Sequence, residues 1–148
     1  MHAIAPAAAG DRVSGRSRRA LPGRPVLIRL AQDDPRQSRR ATRLFERELS
    51  EREPGYISIV VLVETCWVLK RLYGATPAEI RATVRDLLDA RQLAVEQRIT
   101  VAQALARLGA GSGDLADALI AEMAAAAGCA SVVTFDGNAA RLGMDLLR

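Results

Sequence analysis

The segment from Asp114 to Asp136 constrains the fold of this chain more than any other. Acidic residues, Asp114 and Asp117, stand at its start, an apolar helical stretch follows and ends at Gly128, and the apolar run 131–135 leads directly into Asp136. An apolar strand next to a helix is typical of a parallel sheet that is covered on both faces. The segment therefore predicts an α/β fold with a buried strand at 131–135.

The acidic residues of this segment predict a metal-binding cluster. Ligands bind beyond the carboxyl ends of parallel strands, so we expect Asp136 to lie at that edge of the sheet together with the turn that carries Asp114 and Asp117. Carboxylates gathered in this way repel each other unless a cation lies between them. For Asp114, a role as helix N-cap is an equally good explanation. Asp117 is harder to explain structurally, because its helix is so apolar that most of its faces must be buried.

Glu64 is the one acidic residue of a long apolar stretch that we predict to be a helix, with Ser58 as its N-cap and Gly74 at its end. An ionised carboxylate in such a helix is costly unless it is paired or bound to a cation. Two interpretations follow: an ion pair with Lys70 or Arg71, or membership of the acidic cluster.

Composition excludes several classes of function. The 148 residues suffice for one globular domain, and the pI of about 9.8 gives no argument for nucleic-acid binding, because residues 1–25 hold the whole net charge of +4. The sole histidine is His2, so histidine-ligated zinc and serine–histidine–aspartate triads are excluded from the folded part.

We expect Cys66 and Cys129 to be buried and reduced. No apolar run reaches the roughly 20 residues of a membrane helix, and we expect a cytoplasmic protein without a membrane partner.

The chain divides at Val26 into a leader and one domain. We predict residues 1–25 to be a disordered basic leader and residues 26–148 to fold. Within the domain, the sequence predicts helices at about 38–49, 76–90 and 100–108, a short strand at 93–95, and an edge strand around 142–146. The arginines of the first helix are interpreted as its solvated face, with RNA contact as the alternative.

Four segments together resemble a PIN domain of the VapC-type ribonuclease toxins. They are V-L-I-R-L-A-Q-D-D-P at 26–35, V-L-V-E-T-C-W-V-L at 61–69, D-L-A-D-A-L-I-A at 114–121 and V-T-F-D at 133–136. The resemblance implies a three-layer α/β/α sandwich with a central parallel sheet, Mg²⁺ or Mn²⁺ at an acidic site, endonucleolytic cleavage of RNA, and a small antitoxin protein as partner. A homodimer is one of the assemblies compatible with it.

The resemblance also assigns roles to individual residues. Glu64, Asp117 and Asp136 correspond to the second, third and fourth acidic residues of the family and would bind the metal and act in catalysis. Thr134 would supply the hydroxyl beside the fourth acid. Asp114 is an additional acidic residue found in part of the family, and we include it among the metal ligands.

One departure from the family bears directly on activity. The family begins with a strand, central in its sheet, that ends in Asp-Thr-Asn and supplies a principal metal ligand. Gly23-Arg24-Pro25 occupy those positions here, and the preceding S-R-R-A-L-P does not predict a buried strand. Both the first ligand and its strand are therefore missing, as a shifted reading frame or altered 5′ end would produce, and we expect much reduced activity.

Three alternatives to an impaired Mg²⁺-dependent endoribonuclease remain open. The first is a catalytically inactive PIN-like module that binds an antitoxin or RNA. The second is another Mg²⁺-dependent phosphoryl-transfer enzyme, which the absence of an Asp-x-Asp motif and of a P-loop disfavours. The third is a purely structural α/β protein, in which Glu64 would need an ion pair.

Overall fold

A computed structural model describes residues 39–40, 43, 46–52, 54–109 and 113–148. The predicted leader 1–25, the domain start at Val26 and the positions Gly23-Arg24-Pro25 lie outside these residues. So does most of the predicted helix at 38–49, whose described residues Arg39, Arg40, Arg43, Glu46 and Arg47 are helical and exposed.

Helices alternate with short strands along the described part of the chain. The helices are α1 (Ile59–Tyr73), α2 (Pro77–Asp89), α3 (Arg98–Leu108), α4 (Leu115–Ala126) and the single turn α5 (Gly137–Ala140). The strands are β1 (Gly55–Ile57), β2 (Leu93–Val95), β3 (Val133–Thr134) and β4 (Asp145–Leu146).

All four strands pair in parallel, which confirms the predicted α/β class. Strand β1 pairs with β2, with Ile57 opposite Val95, and helices α1 and α2 connect them. Strand β3 pairs with β4, with Thr134 opposite Leu146, across the short helix α5. Within the described residues these pairs form separate two-stranded ladders.

Local signals set the helix ends where the sequence predicted them. Ser58 caps α1 by accepting a hydrogen bond from the Val61 N–H, and Gly74 ends this helix with a positive φ of 66°. Helix α2 begins with a capping box, in which the side chains of Thr76 and Glu79 each accept a hydrogen bond from the other's backbone N–H.

The core forms around α1. The largest fully buried side chains come from β1, α1, α2, α3 and α4, and they are Ile57, Val61, Leu62, Thr65, Val84, Val101 and Leu119. Thr65 is the polar member of this set, and its hydroxyl donates to the carbonyl of Val61 at 2.7 Å, which satisfies it within the helix. The buried face of α1 therefore fixes the positions of the neighbouring helices.

The structure differs from the sequence predictions at two strands and one cysteine. Strand β1 was not predicted, because its pairing partner lies far along the chain at 93–95. Strand β3 spans two residues instead of 131–135 and is not buried, since Val133 is 59% and Phe135 84% exposed. Within the described residues β3 has a partner strand on one edge only.

Cys66 is buried as predicted, but Cys129 is exposed because it follows the turn at Gly128 that ends α4.

Candidate functional site

The start of α4 presents two of the predicted acidic residues. Asp114 is the N-cap of this helix, and its Oδ1 accepts a hydrogen bond from the Ala116 N–H at 2.9 Å. Asp117 lies in the first turn and is half-buried. Asp114 can therefore be both a helix N-cap and a metal ligand, because the cap uses Oδ1 and leaves Oδ2 for another contact.

The end of β3 presents Asp136 and Thr134. Asp136 is the N-cap of α5, and its Oδ1 accepts a hydrogen bond from the Asn138 N–H at 2.8 Å. The hydroxyl of Thr134 accepts the backbone N–H of Asp136 at 3.0 Å. This hydrogen bond fixes the backbone of Asp136 locally, and the role of the Thr134 hydroxyl at the site stays a prediction from the resemblance.

Asp117 is electrostatically coupled to both of these caps. Partial burial is the main cause that raises the pKa of its carboxyl group above the ordinary value of 3.8, and the negative charges of Asp114 and Asp136 raise it further. The charges of Asp114 and Asp136 therefore both reach Asp117. We call these three residues the carboxylate cluster.

Lys70, on the last turn of α1, partly neutralises the carboxylate cluster. Its Nζ lies 3.7 Å from Oδ2 of Asp114, and its positive charge lowers the pKa of Asp117, opposing the effect of the neighbouring acids. Both members of this ion pair are exposed, so its contribution to stability is small, about 0–1 kcal/mol. Sequence reasoning named Lys70 as a candidate partner of Glu64 and missed its pairing with Asp114.

A family model described as PIN domain matches residues 25–144 of the chain. The chain belongs to the PIN domain family. PIN domains have an α/β nuclease fold and are generally metal-dependent nucleases that act on RNA or DNA. The match begins one residue before Val26, where the sequence predicted the domain to start. No match to the chain is found among curated proteins.

Glu64 occupies α1 of the PIN domain, two turns before Lys70. Its side chain is half-buried and its Oε2 has almost no exposed surface. Its membership of the carboxylate cluster stays a prediction from the family resemblance.

The described residues of the PIN domain do not complete a metal site. Carboxylate oxygens are suitable donors for Mg²⁺ or Mn²⁺, and the mutual repulsion at Asp117 is of the kind that a cation relieves. Among the residues that the structure describes, however, no group of three or more His, Cys, Asp or Glu side chains is placed to hold a metal ion. The carboxylate oxygens are chemically suitable ligands for such an ion, but the described side chains are not arranged to bind it.

Glu96 is a polar residue at a strand end that sequence reasoning missed. It directly follows β2, and its Oε2 accepts a hydrogen bond from the Ile59 N–H at the start of α1 at 2.7 Å. Burial, followed by the charge of Glu96 and a hydrogen bond to it, raises the pKa of Tyr56. Its position after a strand was the available signal, and its observed role is to anchor the first turn of α1.

None of the described helices has the length and apolar character needed to cross a lipid bilayer.

Proposed function

We propose that this PIN domain is an endoribonuclease of the VapC toxin type, dependent on Mg²⁺ or Mn²⁺ and impaired in activity. The observation that carries the proposal is the raised pKa of Asp117, to which burial and then the negative charges of Asp114, at the start of α4, and Asp136, after β3, contribute. An acidic residue that only caps a helix does not need further carboxylates nearby. A site that binds a cation for chemistry on phosphate esters does need several carboxylates.

The proposed reaction needs an acceptor for the proton of the attacking water. Hydrolysis of a phosphodiester requires that the attacking water lose a proton, and His2 is the only histidine of the chain. In the proposed enzyme Asp117 is a metal ligand, and the proton goes to a carboxylate that is free of the metal or to the solvent; the Thr134 hydroxyl accepts the backbone N–H of Asp136.

The proposed impairment has two supports. Gly23 stands where the family has its first acid, so the sequence lacks one carboxylate. The described acidic side chains do not complete a metal site either. With weaker or absent metal binding, the rate of the chemical step should fall well below that of a PIN nuclease that keeps all its acids.

Cleavage of RNA with and without the divalent ion tests this function. We expect slow cleavage of a single-stranded RNA in Mg²⁺ or Mn²⁺, no cleavage in EDTA, and loss of activity in Asp117→Asn. Asp86→Asn, an exposed aspartate on α2, is the matched control and should keep wild-type activity. Cleavage that survives Asp117→Asn would contradict the proposed site, and rapid cleavage abolished by that variant would contradict the impairment.

A second candidate function is an inactive PIN-like module that binds a small antitoxin protein or RNA. The specific observation in its favour is that Asp114 and Asp136 both serve as helix caps while no described group of three donors is placed for a metal ion. Calorimetric titration with Mg²⁺ separates the candidates. The inactive module gives no heat of binding, whereas the impaired nuclease gives a weak but saturable one. Either function would be exercised in the cytoplasm, where RNA and an antitoxin are both present.

A further inference from the structure

A cavity of about 110 Å³ lies between α1, α2, α3 and the start of α4. Buried apolar side chains form its floor, among them Cys66, Leu105, Leu108 and Leu115. Its outer wall is formed by exposed side chains of α1: Trp67 is 59% exposed and the Lys70 side chain 64%. An aromatic ring and a cation therefore stand together at the mouth of an apolar cavity.

These wall residues are unusual in this chain. Trp67 is its sole tryptophan, and Lys70 is its sole lysine among 21 basic residues. They are three positions apart on one helix, so their side chains lie on neighbouring parts of one face. Arg81 of α2 also lines the cavity. The lining thus holds two basic residues, Lys70 and Arg81, and one acidic residue, Asp114, beside the aromatic ring.

The cavity adjoins the carboxylate cluster through a shared residue. Asp114 lines the cavity and belongs to the cluster, and its Oδ2 is the partner of Lys70 at 3.7 Å. An exposed ion pair at this distance is weak, so Lys70 can exchange Asp114 for another anion at little cost. A chain that contacts the cavity mouth would therefore pass directly beside the acids.

We propose that the mouth of this cavity is a subsite for one nucleotide of single-stranded RNA, with the base stacked on Trp67 and the phosphate bound by Lys70. The inference rests on the proposed function in taking RNA as the ligand. Stacking on an exposed aromatic residue next to basic side chains is the usual way in which proteins hold single strands. An apolar side chain of a partner protein would fit the floor, but it would not match the charge of Lys70 and Arg81.

Binding is measured in EDTA, so that cleavage plays no part. A short single-stranded RNA is titrated into the full chain at low salt, and the emission of Trp67, the only tryptophan, reports directly on the subsite. We expect saturable quenching. Lys70→Met should weaken binding about fivefold and reduce the slope of log K against log salt by about 0.7, the value for one phosphate contact on a single strand. Arg71→Met, the adjacent exposed basic residue outside the cavity lining, is the control and should retain the wild-type slope.

The stacking contact is tested separately with fluorescently labelled RNA and anisotropy. Trp67→Leu should weaken binding about tenfold, as expected for the loss of one stacked base, whereas Tyr73→Leu removes an exposed aromatic residue of α1 outside the cavity and should have little effect. Circular dichroism checks that each variant is folded.

Three results would overturn the subsite. They are unchanged Trp67 emission at saturating RNA, equal losses in Lys70→Met and Arg71→Met, and quenching by an acidic leucine-containing peptide but not by RNA. Failure of the nuclease proposal gives a different pattern, namely no cleavage in Mg²⁺ together with intact, Trp67-dependent RNA binding in EDTA.

Discussion

Single residues of this PIN domain owe their chemistry to where the helices place them. Asp117 was chosen from the sequence because its helix is apolar, and its partial burial beside two other acids explains the raised pKa of its carboxyl group. Lys70 illustrates the limit of such reasoning. A lysine in an apolar helix predicts an acidic partner, but the sequence offered Glu64 on the same helix, whereas the actual partner, Asp114, comes from α4 across the fold.

The two cysteines should differ sharply in reactivity. Burial, reinforced by the charge of Asp114, raises the pKa of Cys66 to about 12, whereas Cys129 is exposed. The thiolate is the reactive form, so at pH 8 a thiol-specific reagent such as Ellman's reagent should modify one cysteine in the native protein and both after denaturation. Mass spectrometry should place the native modification on Cys129. Rapid modification of Cys66 in the folded protein would show that this part of α1 is not buried.

Replacing Asp117 should stabilise the protein at neutral pH. Because its folded pKa is raised, the native state retains a proton that the unfolded chain has released at pH values above 3.8. The free energy of unfolding of the wild type therefore falls as pH rises through the interval between 3.8 and the raised value, and it remains lower at pH 7. The Asp117→Asn variant does not show this decrease in the free energy of unfolding, because asparagine does not titrate.

Urea unfolding at several pH values measures the effect. At pH 7 the free energy of unfolding of Asp117→Asn should exceed that of the wild type by less than about 1 kcal/mol, because a half-exposed charge is screened. The difference should vanish below pH 3.8. Asp86→Asn, on the exposed face of α2, provides the reference. A variant that is less stable than the wild type at pH 7 would mean that Asp117 is favourably paired.

Elements were predictable from the sequence where local signals define them. The ends of α1 and α2 follow from Ser58, Gly74 and the Thr76 capping box, all within a few residues of the helices that they limit. The strands were less predictable, since each depends on a distant partner. The pairing of Gly55 with Leu93 defines β1, and the exposure of β3 depends on which strands cover it, neither of which has a local signature.

The connection into α4 should be sensitive to added volume at Gly113. A Cβ atom at this position would lie 2.9 Å from Leu108 Cδ2 and 3.1 Å from Leu142 Cδ2, so both side chains would have to move. We expect Gly113→Ala to lower the free energy of unfolding by about 1–3 kcal/mol, the usual cost of overpacking. Chemical denaturation measures this loss.

Gly137→Ala is the matched control for this substitution. A Cβ at Gly137 would meet no atom within 4 Å, and the change should stay within about 0.5 kcal/mol. Equal effects at the two glycines would contradict the close packing of the connection against the end of α3.

At the scale of the whole molecule, the order of the sequence segments predicted the family and the α/β class, but not the geometry of the site. A parallel sheet brings strand ends together by topology, and on this rule the sequence predicts that Asp136 lies near Asp114 and Asp117. The placement of Glu64 and the completion of a metal site depend on distances of a few ångströms between elements, and sequence spacing carries no such information.

We infer that Asp117 shares one electrostatic site with Asp114 and Asp136, and this inference can be tested by NMR titration of the Asp117 side-chain carboxyl carbon. In the wild type the pKa of Asp117 should exceed 3.8, and it should move back toward that value in Asp136→Asn and in Asp114→Asn. A wild-type pKa at or below 3.8, or one that neither substitution changes, would contradict the shared site.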